Sequence, residues 1–131
     1  MDISFRFGVI IFILLAFLNA GVADPIYKSI ETYLVKYRQS IKYNDVTIQN
    51  EIIHLEMHGR RTNIKSQLLL GFYAIGRALL KSSTPFRGVQ IVIYYDLKER
   101  QEVLAKAPAE NVIDLSQGRL SSEKFFDVIG Y

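Results

Sequence analysis

The chain contains no cysteine. That excludes disulfide frameworks, thiolate nucleophiles, thiolate metal clusters and a lipid-modified cysteine together. Tryptophan is also absent, proline occurs three times, and the only histidines are His54 and His58. Most nucleophilic mechanisms therefore lack their parts. There is little charge asymmetry: 16 basic against 13 acidic residues, a net charge of +3. So small an excess, without a clustered basic stripe, does not mark a nucleic-acid binder. Half of the residues are hydrophobic and no low-complexity run or internal repeat occurs, which argues against disorder.

What is present begins with a front end unlike the rest. Met1 to Phe7 is short and mixed, with Arg6 its one basic residue, and Gly8 to Leu18 is an unbroken apolar run. Gly21-Val22-Ala23 then fits the small-x-small rule for a signal-peptidase site before Asp24. The run suits an export signal and is short for a span, which needs about 20 apolar residues. Residues 1–23 are read as a signal peptide or an N-terminal membrane anchor, and 24–131 as a single domain, one core's worth of chain. The domain is expected to be exported, periplasmic or extracellular, or held outside the cytoplasm by residues 8–23.

Along that domain, Asp24-Pro25 reads as a helix start. Ile26, Ile30, Tyr33, Leu34, Tyr37 and Ile41 recur at three-to-four spacing, so an amphipathic helix is expected as far as Tyr43-Asn44. Residues 45–49 and 52–58 alternate apolar and polar, but with a change of phase between them. A one-residue slip moves every side chain to the other face, so a hairpin turning at Gln49-Asn50-Glu51 is expected. Thr62 reads as the N-cap of a long helix over 63–82, and the Ser82-Ser83-Thr84-Pro85 stretch breaks it. Gly88 to Asp96 is a β-branched and aromatic strand, apolar on both faces, which suggests a central position. A partner strand over 101–107 and short helices near 109–117 and after Ser121 complete the order. The fold class expected is α+β: an antiparallel-rich sheet of about four strands with one long helix packed on a face, preceded by an N-terminal hydrophobic targeting helix.

Three clusters carry candidate chemistry. His54, Glu56 and His58 alternate along one strand and share a face, a donor set that suits a divalent metal. The outer two stand about 13 Å apart at roughly 3.3 Å per residue, so a pair would need a further ligand from elsewhere. The alternative is the polar, solvent-facing side of a half-buried strand. Arg60, Arg61 and Lys65 flank the start of the long helix, where free amides and added cations favour an anion such as a phosphate or lipid headgroup; a solvated basic turn is the plainer reading. Gly71 to Ala78 superficially matches a phosphate loop, but Arg77 and Ala78 stand where that loop needs Lys and Ser/Thr, and the segment reads as helix. Helix packing explains its glycines.

Asp96, Glu99, Glu102 and Asp114 are scattered near turns, with no spacing that supports acid–base catalysis. Ser82, Ser83, Ser121 and Ser122 lie at helix ends, where capping accounts for them. Tyr27, Tyr33, Tyr37 and Tyr43 lie in or beside the first helix, some of them at headgroup level if that helix is juxtamembrane; core packing with the hydroxyl at the rim is the plainer reading. An apolar helix ahead of an α+β head resembles the type IV pilins. The leader would end at Gly8, however, and the acidic residue that family carries within its apolar run is missing here. The sequence thus implies no catalytic set and no cofactor. It supports an exported or membrane-tethered, non-enzymatic module with a protein or membrane-surface partner and no nucleic acid. A metal-binding protein or metal-dependent hydrolase using His54, Glu56 and His58, and an anchored subunit of an envelope assembly, are the alternatives.

Overall fold

The computed structural model describes residues 25–96 and 100–129. The expected targeting helix and the Asp24 end of the first helix lie outside the described residues. From residue 25 to 35 the chain is helical (α1), and Ile26, Ile30 and Leu34 are buried at four-residue spacing. The expectation that this helix reaches Tyr43-Asn44 is wrong. Arg38 takes a left-handed φ of 61°, and the amides of Arg38 and Gln39 turn back to the carbonyls of Val35 and Leu34. That pair of bonds is a Schellman stop, a position more often filled by glycine. Tyr37 is consequently exposed, and Ile41 enters the core from the irregular segment beyond.

A 3₁₀ turn, Tyr43–Asp45, leads into β1 (Val46–Gln49) and β2 (Ile52–Gly59). These pair antiparallel, with Gln49 opposite Ile52. The two turn residues, Asn50 and Glu51, both have positive φ, 54° and 63°, the hand that a two-residue hairpin requires. The phase change in the sequence is therefore this turn. A second 3₁₀ turn, Arg61–Asn63, opens α2 (Ile64–Lys81). Thr62 is not the N-cap: it lies inside that turn, and Asn63 holds the cap position without a side-chain bond. Then follow β3 (Gly88–Asp96), β4 (Arg100–Pro108), α3 (Ala109–Ser116) and α4 (Ser122–Val128).

The four strands form one sheet in the order β1-β2-β3-β4. Its central pairing, β2 with β3, is parallel, with Ile52 beside Gly88 and Gly59 beside Tyr95. The sheet is thus mixed, and the antiparallel-rich expectation is corrected. The reason is length. An 18-residue helix spans about 27 Å at 1.5 Å per residue, close to the roughly 26 Å of an eight-residue strand. Helix α2 carries the chain from the end of β2 back to its start, so β3 must run alongside in the same direction.

All the described helices contribute side chains to one core on one side of the sheet. Ile53, Leu55 and Met57 of β2, Val89, Ile91 and Ile93 of β3, and Ala105 and Ala107 of β4 share the buried face. Phe72 of α2 meets Phe125 of α4 edge-on, with ring centroids 4.9 Å apart. Two glycines let α2 sit close. A Cβ on Gly71 would lie 2.8 Å from Ile91 Cδ1, and one on Gly76 would lie 2.7 Å from the Val112 carbonyl oxygen. The glycines that superficially match a phosphate loop are packing positions inside a helix.

Candidate functional site

Three surfaces around this core carry polar chemistry. The first is the face of the sheet turned away from the helices. Register places Thr47, His54, Gln90 and Lys106 in one row across the four strands, with His58, Tyr94 and Glu102 in another. Glu56, Val92 and Leu104 form the row between them. His54, Glu56 and His58 do share this face. Among the described residues, however, no three His, Asp or Glu side chains converge as a metal set. The His58 ring lies against Tyr94, centroids 5.8 Å apart. Partial burial, aided by the charge of Lys106, holds the His54 imidazole below the usual histidine range. His54 is therefore neutral at pH 7.

The second surface is a cleft of about 800 Å³ where α2 begins. Arg60 lines it together with Arg38, Lys42, His58 and Asp45. The carboxylate of Asp45 is occupied by the Lys42 backbone amide at 2.8 Å. Gln67 closes the floor. It is 8% exposed, its Nε2 donates to the His58 carbonyl at 3.2 Å, and its Oε1 has no conventional partner. A Cβ on Gly59 would fall 1.8 Å from that oxygen, so the glycine Cα–H points at it, a weak C–H···O contact. Of the three residues expected here, only Arg60 lines the cleft. Lys65 instead sits over the Phe126 ring, 5.8 Å from its centroid, and the side chain of Arg61 lies outside the described set.

The third surface was not expected. Helices α1 and α2 enclose a groove of about 320 Å³ lined by Lys28, Lys36, Arg77 and Lys81, with Tyr33 and Pro25. None of the residues lining it is acidic. The Arg77 guanidinium stacks over the Tyr33 ring at 5.4 Å. Burial, then a hydrogen bond with Tyr37, push the Tyr33 hydroxyl above the usual tyrosine range, so it stays protonated. Glu31, the acid of α1, is turned aside: it accepts the hydroxyl of Tyr27, whose pKa that bond pushes up to about 12. The sequence signal was present in part. Lys28 and Lys36 lie off the apolar stripe of α1 and Arg77 interrupts that of α2, but nothing local says that the two basic faces meet.

Among the described residues the scattered acids and serines do not assemble; Glu99 and the side chain of Asp96 lie outside them. Asp114 pairs with Arg119 at 2.8 Å, Glu102 lies on the open face of the sheet, and the Ser121 hydroxyl caps α4 by accepting the Lys124 amide. Ser82 Oγ accepts the Thr84 amide at 3.1 Å in the turn after α2. No family model, no curated protein and no solved structure matches the chain.

Proposed function

We propose that the chain is a non-enzymatic interaction domain that works at a membrane surface. It is exported or tethered through residues 8–23, and it rests its basic α1–α2 groove against anionic headgroups. The groove itself carries this reading: four cations without an acid among the lining residues, with Pro25 as one wall. Pro25 follows Ala23 by two residues, at most about 7 Å of extended chain. If the apolar segment is in the bilayer, the groove is at the interface. Each cation near an anionic surface adds about 1 kcal/mol, screened within a Debye length. Tyr33 beside the groove suits the headgroup layer. If the leader is removed before Asp24, the same face binds by charge alone, more weakly. The cleft at Arg60 lies beyond the far end of α1, about 15–20 Å from Pro25 at 1.5 Å per residue, and is the less favoured anion site.

The test uses the lack of cysteine. The full chain carries a single dye at Thr32→Cys in the groove, or at Thr47→Cys on the open sheet face, in bilayer discs containing a quencher on the headgroups. The reading expects strong quenching at position 32 over position 47 in anionic discs. The contrast should fall in zwitterionic discs, at high salt, and in K28E/K81E. Equal quenching in anionic and zwitterionic discs overturns it.

A further inference from the structure

We infer that β4 pairs with β4 of a second copy of this chain, joining two sheets into one of eight strands about a two-fold axis at Leu104. Among the described residues, strand β4 is the outer strand of the sheet. It is nine residues long and pairs with β3 without a break from Pro108 to Arg100. An edge of this length offers a row of backbone donors and acceptors to another strand. The opposite edge, β1, has only four residues. The proline of β4 stands at the last position, and the side chain at its middle, Leu104, is an exposed large hydrophobic at 38%, with charges of opposite sign, Glu102 and Lys106, on either side of it.

Charge selects the occupant and the register. In an antiparallel pair, directly opposed residues point to the same side. On the open face β4 presents Glu102, Leu104 and Lys106 in succession. A two-fold at Leu104 sets Glu102 of each copy opposite Lys106 of the other, and Leu104 opposite itself. A two-fold at Val103 or Ala105 opposes Leu104 to a charge. Neither Glu102 nor Lys106 is in an ion pair among the described residues. The edge is thus self-complementary in one register only. This axis is perpendicular to the sheet, so both helical layers lie on the same side. The pairing does not depend on the membrane reading.

Directly opposed antiparallel residues have Cα atoms about 4.5–5.5 Å apart, within disulfide reach. The full chain, kept in the compartment or membrane where it is made, is therefore oxidised as Leu104→Cys and run on a non-reducing gel. A band at twice the chain mass is expected, well above the level given by Ser83→Cys. Glu102→Cys and Lys106→Cys should each stay monomeric alone and cross-link when co-expressed, which fixes the register. Charge reversal sharpens this. E102K and K106E should each cut the Leu104→Cys dimer several-fold, and E102K/K106E should restore it. No dimer above the Ser83→Cys level, or a cross-linked band of another mass, overturns the proposal.

Discussion

The two faces of the sheet are built from the same strands and differ only by alternate residues. On the helical side of β2, Ile53, Leu55 and Met57 are at most 2% exposed. One residue along, His54, Glu56 and His58 face the other way, the first half-buried and the other two exposed, on the face shared with Val92 and Leu104. The helical face is a closed apolar layer that holds the fold. The open face carries mixed charge, imidazole and the aliphatic groups of Ile52, Val92 and Leu104, a composition unlike that of a core. The buried layer and the solvent-facing layer are thus separated by a period of two residues.

The sharpest break of that comparison is a matched pair of truncations. Phe125 is fully buried against Phe72, so Phe125→Ala should cost about 3–5 kcal/mol. Val92→Ala, on the open face, should cost well under 1.5 kcal/mol, since Val92 is only half-buried. Urea unfolding reads both; equal losses would mean that the open face is packed against something in solution. Next in size is Gly76→Val. Its Cβ would lie 2.6 Å from Ser116 Cβ and 2.7 Å from the Val112 carbonyl, so α3 must move away from α2, at about 1–3 kcal/mol. A neutral result would show that this helical layer is looser than the rest of the core.

These particular elements show what local pattern encodes and what it does not. Strand β3 was legible from its β-branched run and the first hairpin from its change of phase. The apolar stripe of α2 and the capping serine of α4 were equally plain. The end of α1 was not, because Arg38 is a good helix former and its left-handed conformation leaves no mark in composition. The parallel pairing was hidden because it follows from the length of α2 and not from any residue of β2 or β3. Of the sites, the shared face of His54, Glu56 and His58 was legible. The basic groove was not, since its two pairs of cations, Lys28 with Lys36 and Arg77 with Lys81, lie on segments far apart in the sequence. Glu102 read as one scattered acid until the strand order made β4 an edge.

The turn joining the two faces at β1–β2 gives a smaller effect, in the stabilising direction. Glu51 adopts a φ of 63°, a left-handed conformation that costs a side-chain-bearing residue about 1–2 kcal/mol. Glycine takes it freely but loses more entropy on folding. Glu51→Gly should therefore raise stability by about 0.5–1 kcal/mol, seen as a higher urea midpoint at unchanged slope. The Arg87 amide still donates to the residue 51 carbonyl, now at 2.8 Å, so the gain should not be offset there. A lower midpoint would mean that the glutamate side chain holds the turn.

The smallest effect tests the open face by pH. His54 has its pKa lowered, first by partial burial and then by the charge of Lys106. Its unfolded value is near 6.5. Between the two, the unfolded chain binds more protons than the folded one, so stability rises with pH. Read downward, the contribution of His54 is intact above about pH 7 and is lost as pH falls through 6.5 toward the folded value. Lys106→Gln removes the second cause and should narrow that loss, while His54→Gln should abolish it, each followed as the urea midpoint between pH 7.5 and 5. If His54→Gln leaves the slope of the profile in place, the pH-sensitive position is not the imidazole beside Lys106.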